Sequence, residues 1–209
     1  MEPAASIAFI VAAYLLGGLP SGVVLGRMLK GIDVRRHGSG ATGATNSLRV
    51  LGWPISLTVL VVDFCKGLVP VLAARWIGLP DWAVGLVAVA AVLGHCFSPY
   101  IGFRGGKGVA TGGGAAIAMF PWLGLLVVLV VAIVLLTRYV SLASLAAAAT
   151  GALVVVGAAA WGTLPAWWSA AIVAMAILIV IQHRSNIHRL LHGSERKFGV
   201  SESPHANSA

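Results

Sequence analysis

The sequence predicts an all-α integral membrane protein with seven transmembrane helices, its N-terminus outside and its C-terminus inside. Three observations lead there. Hydrophobic residues make up 59% of the chain and charged residues 10%, with a mean hydropathy of +0.95, whereas a soluble domain carries roughly 25% charged residues. Four runs, 4–26, 82–103, 108–137 and 139–182, contain no Asp, Glu, Lys or Arg. Each is long enough for a bilayer crossing, which takes about 20 apolar residues. The cations gather in three places, 27–49, Arg104 with Lys107, and 184–197, and such clusters mark cytoplasmic segments.

The elements follow in order. The first run is a true span and not a cleaved leader, because no Lys or Arg precedes Arg27 and a leader needs a basic start. The second span, about 53–77, carries Asp63 and Lys66. Three residues apart, they share a helix face and read as an internal ion pair near the cytoplasmic interface. The third span ends around His95. As one helix, 108–137 would run roughly 45 Å across a core near 30 Å. A single crossing there would also put Arg138 and the 184–197 cluster outside, against the positive-inside rule. Two helices meeting near Phe120-Pro121 resolve both problems, and the first is short and glycine-rich. The run 139–182 divides likewise at Gly162-Thr163-Leu164-Pro165. Residues 1–199 form one transmembrane domain, and the polar tail 200–209 is expected to be disordered. Cys65 and Cys96 both fall near the cytoplasmic face, where a disulfide is not expected.

The three cationic segments carry the chemistry. Phe103-Arg104-Gly105-Gly106-Lys107-Gly108 leads into a helix. Glycines let N–H groups turn toward an anion, and the helix adds its positive end. His95, just before it, is the best candidate for a general base among the side chains. The first loop, 33–49, alternates small residues and hydroxyls with glycine between arginines, a pattern that can wrap a phosphate. It lacks the Gly-Lys-Ser/Thr ending of a nucleotide P-loop, so ATP is not indicated. In the third segment His183, Asn186 and Arg189 recur every three residues and share a face. Each segment also has a plainer reading: a loop that sets topology, a surface turn, a basic surface helix. A net charge of +8 distributed this way suits anionic lipids and phosphorylated substrates, not nucleic acid. The six acidic residues are Glu2, Asp33, Asp63, Asp81, Glu195 and Glu202. No two lie close enough in sequence to suggest a divalent-metal cage, and no cofactor is expected. The His-four-residues-Asp spacing of acyl-CoA-dependent glycerolipid acyltransferases is absent, as is the Asp-rich signature of CDP-alcohol phosphotransferases.

Taken together, the segments resemble the bacterial acyl-phosphate-dependent glycerol-3-phosphate acyltransferases, the PlsY family. The resemblance rests on Tyr14-Leu15-Leu16-Gly17 with Pro20, on Asp63, Lys66-Gly67 and Pro70, and on Arg138-Tyr139-Val140-Ser141-Leu142. It also rests on His183, Asn186-Ile187, Arg189-Leu190, Gly193 and Glu195, and above all on Lys107 with its glycines. It implies acyl transfer from acyl phosphate to the 1-hydroxyl of glycerol 3-phosphate, giving lysophosphatidic acid. The expected setting is the bacterial inner membrane, among its lipids, with the active site facing the cytoplasm. A functional link to a soluble acyl-phosphate-forming enzyme is expected too. The implied catalytic residues are Ser39, Arg49, His95, Lys107 and Asn186. The implied phosphate ligands are Gly38, Gly40, Gly43, Thr45, Asn46, Arg104, Gly105, Gly106, His183 and Arg189. The base is either His95 or the leaving phosphate. Three departures stand out. Ala41-Thr42 replaces the family's Asn-Pro, Ser98 intervenes between Phe97 and Pro99, and Gly18 stands where serine is common. Two other readings stay open at this point, a carrier for phosphorylated anions and a non-catalytic relative.

Overall fold

A computed structural model describes residues 3–199. The described residues form ten α-helices joined by turns and short 3₁₀ segments, without a strand. They are α1 (Pro3–Gly18), α2 (Ser21–Lys30), α3 (Ala44–Leu51), α4 (Trp53–Trp76), α5 (Asp81–Cys96), α6 (Val109–Met119), α7 (Leu126–Thr137), α8 (Val140–Ala160), α9 (Ala166–Gln182) and α10 (Arg184–Leu191). The tail assigned to 200–209 lies outside the described residues.

Each apolar run folds as helix, and the breaks fall where proline puts them. Phe120 is extended between α6 and a 3₁₀ turn that starts at Pro121, and Pro165 leads into α9. Length, however, separates the helices. Four described helical stretches are long and apolar enough to cross a membrane: α1 with α2 (Pro3–Lys30), α4 (Trp53–Trp76), α5 with the 3₁₀ turn after it (Asp81–Ile101) and α8 (Val140–Ala160). The bent pair α9 and α10, turned by 59°, makes a fifth if counted as one span. At 11 residues, α6 is roughly 16 Å long and reaches only about halfway across the hydrocarbon.

The buried centre is α5. Val87, Ala88, Ala91 and Val92 are fully enclosed, and α1, α4, α6 and α9 pack around them. Apolar side chains gain little by leaving lipid for protein, so close contact between small residues must hold such a bundle. Gly17 lies against the carbonyl of Ala91, and Gly94 against that of Tyr14, at the α1–α5 contact. Gly67 and Gly114 do the same for α4 and α6, against Thr111 and Phe64. A Cβ at any of these four positions would overlap backbone. By contrast α7 buries no residue, and Val127, Val128, Val131, Leu135 and Leu136 are exposed. It forms an exposed apolar edge of the bundle. The Arg75 guanidinium at the end of α4 donates to Ala118 O at the end of α6 and lies 4.8 Å over the Trp168 ring. One cation thus caps the short helix from the far side of the bundle.

Two polar knots join the helices. Lys66 is 4% exposed and Asp63 1%. Lys66 Nζ lies 2.7 Å from Asp63 Oδ1, and Ser21 Oγ donates to the same oxygen at 2.5 Å. Lys66 also donates to Leu19 O at 2.6 Å, filling the gap that Pro20 opens between α1 and α2. The neighbouring carbonyl, Gly18 O, accepts from Ser98 Oγ at 2.6 Å. Two of the departures from the family pattern therefore meet. A Cβ on Gly18 would stand 2.8 Å from Pro99 Cδ, so glycine at 18 makes room for the late proline while Ser98 caps its carbonyl.

Candidate active site

The three cationic segments converge on one cavity of about 470 Å³. Ser39, Gly43, Thr45, Asn46 and Arg49 line it from the first segment, His95 and Lys107 from the second, and His183, Asn186 and Arg189 from the third. Gly38, Gly40, Arg104, Gly105 and Gly106 do not line it. Arg104 is exposed outside it.

Asn46 builds the first wall. It is buried, and its Oδ1 accepts from Ser39 N–H at 2.8 Å. Its Nδ2 contacts three carbonyls, Val34 at 2.9 Å, Ala41 at 2.9 Å and His37 at 3.2 Å. The amide is engaged within the loop, so Asn46 shapes the wall more than it offers a ligand. Gly38 and Gly40 turn at φ +59° and +73°, values that L side chains avoid. Below them, Asp33 holds Arg27 at 2.8 Å and Arg35 at 2.7 Å. The Arg35 hydrogen bond leads in holding the Asp33 carboxyl well below the usual carboxylate range, against the opposing effect of burial.

In the second segment Gly105 N–H donates to Cys96 O and Gly106 N–H to His95 O, both at 3.0 Å. These glycines close the end of α5, and their N–H groups are not directed to an anion. Any Cβ at 105 would overlap His95 O, and at 106 the His95 ring. The ring itself is buried, with Nδ1 3.8 Å from Asp63 Oδ1, and both residues line the inner cavity.

Helix starts face the cavity instead. Ala44, Thr45 and Asn46 of α3 and Val109 and Ala110 of α6 line the same space. First-turn N–H groups lack intrahelical partners, and two positive dipole ends face one cavity.

The third wall is a chain of hydrogen bonds. Lys107 Nζ donates to Asn186 Oδ1 at 2.5 Å, and Asn186 Nδ2 donates to Glu195 Oε1 at 2.6 Å. The same Oε1 accepts from Ser141 Oγ at 2.8 Å, while Oε2 accepts from Arg189 Nε at 2.7 Å. Burial pushes the Glu195 carboxyl up, but the bonds from Asn186, Ser141 and Arg189 outweigh it and hold it below its ordinary value. Burial lowers the Lys107 ammonium to about 8, helped by Arg189 and Arg49 and opposed by Glu195. His183 Nδ1 lies 2.8 Å from Ile179 O. A carbonyl only accepts, so Nδ1 carries the hydrogen and Nε2 is left as an acceptor.

Glu195 and Ser141 are absent from the site residues read from the sequence, although both lie in matched motifs. The available signal was Glu195 itself, a lone acid in a basic segment. Among the described residues no group of three or more His, Cys, Asp or Glu side chains could hold a metal ion.

The cavity also has an apolar flank: Trp53 and Leu60 of α4 and Val130, Val131, Val134 and Leu135 of α7. In this all-helical bundle one cavity thus joins a cationic end to an apolar flank. The chain matches the family model described as glycerol-3-phosphate acyltransferase over residues 7–193 and belongs to that family. It is 44% identical over 196 residues to a glycerol-3-phosphate acyltransferase of Thermus thermophilus, covering 93% of this chain and 96% of the relative. It is 46% identical over 193 residues to glycerol-3-phosphate acyltransferase 1 of Deinococcus radiodurans, covering 91% and 94%. Its fold is similar to crystal structures of PlsY (YgiH), an integral membrane glycerol 3-phosphate acyltransferase. The glycerol 3-phosphate form superposes with a TM-score of 0.87 at 38% identity, covering 93% of this chain and 96% of that one. The lysophosphatidic acid form gives a TM-score of 0.85 at the same identity and coverage.

Proposed function

We propose that the protein transfers a fatty acyl group from acyl phosphate to the 1-hydroxyl of glycerol 3-phosphate, releasing lysophosphatidic acid and phosphate. One observation carries the reading: a single cavity joins a cationic end to an apolar flank on α7. An acyl phosphate has both halves, and glycerol 3-phosphate has only the charged one. The α3 start with Ser39, Thr45 and Arg49 suits the donor phosphate, because α3 leads directly into α4, where Trp53 and Leu60 begin the flank. Lys107, Asn186, His183 and Arg189 suit the acceptor phosphate. The acceptor oxygen attacks the acyl carbon, a new ester C–O bond forms, and the bond from that carbon to the phosphate oxygen breaks. The hydroxyl proton passes to the leaving phosphate, whose oxygen is joined to the reacting carbon and so always lies within reach. His95, enclosed between Gly106 and Asp63, supports the wall behind the donor. Holding both substrates in one cavity supplies much of the rate, and Lys107 with the helix starts stabilises the developing oxyanion.

The setting belongs to the same proposal: seven spans, N-terminus out and C-terminus in, in the bacterial inner membrane with the cavity facing the cytoplasm. Here α6 and α7, too short to cross alone by length, count as spans four and five. Single cysteines replacing Ser185 and Ser194, both exposed, test it in a Cys65- and Cys96-free background. Both should label only after the cytoplasmic side is opened. Labelling at 194 in intact cells rules the topology out.

The reaction is tested by offering purified protein acyl phosphate, acyl-CoA and acyl carrier protein donors in parallel, with and without EDTA. Product from acyl phosphate alone, insensitive to EDTA, is expected. Transfer from another donor, or a loss in EDTA restored by magnesium, overturns the donor or the metal-free reading. Binding of both substrates by folded protein without turnover selects the non-catalytic relative. A carrier would need broken helices deep in the bilayer, and the break at Leu19-Pro20 is filled by Lys66 and Ser98.

A further inference from the structure

We propose that the turn after α5 carries a docking site for a bilayer phospholipid with an anionic head, Arg104 meeting the phosphate and Tyr100 and Phe103 the apolar part. Arg104 is the cation of the second segment that the cavity does not use: it lies exposed, outside the wall. Among the described residues its guanidinium makes no hydrogen bond or ion pair, so it is open to a ligand from outside the chain.

Its place in the fold selects that ligand. The apolar stretch Asp81–Ile101 ends just before it, so Arg104 stands where a span meets the headgroups. Tyr100 is 52% and Phe103 62% exposed on the same turn. Aromatic rings beside a cation at the end of a span suit a molecule that is apolar on one side and anionic on the other. Phe103 also holds φ +59°, in the left-handed region that bulky residues avoid. Backbone strain of that kind persists where the surroundings hold it in place for a use, and here the ring is left outside the bundle.

The turn is held firmly enough to present a site. Phe103 N–H donates to Ser98 O at 2.8 Å, and Ser98 Oγ to Gly18 O at 2.6 Å. On the other side of Arg104, Gly105 N–H donates to Cys96 O at 3.0 Å. Arg35 Nη1 donates to Ile101 O at 3.5 Å, and Ile101 packs with Val23, Val34 and Leu51. Both flanks of Arg104 are fixed without its side chain. The surroundings favour an anion. Asp33, the acid of the adjoining loop, is shared by Arg27 and Arg35. Arg36 beside them is exposed, and its side chain too has no partner among the described residues. A guanidinium in that setting takes a phosphate by its planar fork, and the net positive charge prefers an anionic head to a zwitterionic one. A head held there fixes the bilayer depth of the loop that delivers Lys107, two glycines further on.

The test is native mass spectrometry of the full-length protein in a neutral detergent, titrated with phosphatidylglycerol or with phosphatidylcholine of the same chains. The first phosphatidylglycerol should bind about fivefold more tightly than the first phosphatidylcholine, the effect of one cation at the membrane surface. Arg104→Ala should bring the two lipids within about twofold of each other, and so should Arg104→Gln, which keeps a long polar side chain in place. Arg104→Lys should retain part of the preference, because the charge stays and the fork is lost. Arg184→Ala, which removes an exposed cation on α10, should leave the preference as it is. Equal binding of the two lipids by the wild type overturns the proposal. So does a preference that survives both Arg104→Ala and Arg104→Gln; its loss in Lys107→Ala instead would put the lipid in the cavity. An equal loss in Arg184→Ala overturns it as well, since the preference would then belong to diffuse surface charge and not to this turn.

Discussion

In the loop before α3, glycines bend the chain. Gly38 and Gly40 sit at positive φ, Gly43 has open space around it, and Asn46 ties the resulting turn together from inside. In the loop before α6, Gly105 and Gly106 make room for a neighbour, since their Cα atoms lie against the backbone and ring of His95. One loop uses glycine for conformation and the other for clearance. The glycine N–H groups of the second loop are thus turned away from the cavity, and the helix starts that line it are the first turns of α3 and α6.

The two loops should respond differently to substitution. The largest effect is expected at Lys107, the one residue of the second loop whose charge enters the cavity. Lys107→Ala should lower kcat/KM by about a hundredfold or more while the protein still folds, because a charge-assisted contact is lost in a shielded site. Lys107→Arg should recover only part, since a planar fork replaces a compact ammonium against Asn186. Near-normal turnover in the alanine variant would reduce the loop to a topology signal.

Gly106→Ala should cost about 1–3 kcal/mol of stability through overpacking against His95, while Gly43→Ala should fall within about 0.5 kcal/mol. Thermal melts in detergent measure both, and equal losses would erase the distinction between the loops. Asn46→Ala, which strips four contacts from the first loop, should destabilise by about 1–3 kcal/mol and raise KM for acyl phosphate. A melt and KM like those of the wild type would refute its role as the loop's internal tie.

A smaller effect concerns pH. With Lys107 at about 8, the free protein loses that charge as pH rises through 8. The quantity kcat/KM should fall there, and Lys107→Arg should flatten that limb. Glu195 acts in the opposite range. Its lowered pKa adds stability that is present above the ordinary carboxylate value and lost as pH falls through the lower folded one. Mild acid should therefore leave the clamp on Asn186 intact. An alkaline limb that persists in Lys107→Arg assigns the ionisation elsewhere.

The smallest effect is expected at Ala41-Thr42. Among the described residues Thr42 N–H donates to no backbone carbonyl, so proline there removes no ladder bond. Ala41→Asn with Thr42→Pro should leave activity equal or slightly higher and add about 0.4–1 kcal/mol by stiffening the unfolded chain. A clear drop in rate would show that the looser loop is needed.

The breaks at Pro121 and Pro165, the shortness of α6 and the pairing of Asp63 with Lys66 were legible in the sequence, because each follows from proline chemistry, charge placement or helical spacing. The gathering of Lys107, Asn186 and Arg189 was legible too, through the three cationic segments. The engagement of Asn46 inside its own loop was not, since asparagine beside hydroxyls reads equally as ligand or brace. Nor was Glu195 as the hub of the third wall. Its partners at 141, 186 and 189 include one from another helix, and no local pattern records such a meeting. The span count is the hardest case. Charge placement argues for seven, while helix length alone supports four or five.

The clamp on Lys107 has a consequence in time. Glu195 is synthesised after every helix from α1 to α10. A nascent chain therefore makes the bundle, both glycine loops and the exposed α7 before the last wall of the cavity exists. A product stalled ahead of residue 195 would lack the carboxylate that Asn186, Ser141 and Arg189 share. The third wall of the cavity is therefore completed last, after the apolar helices have been made.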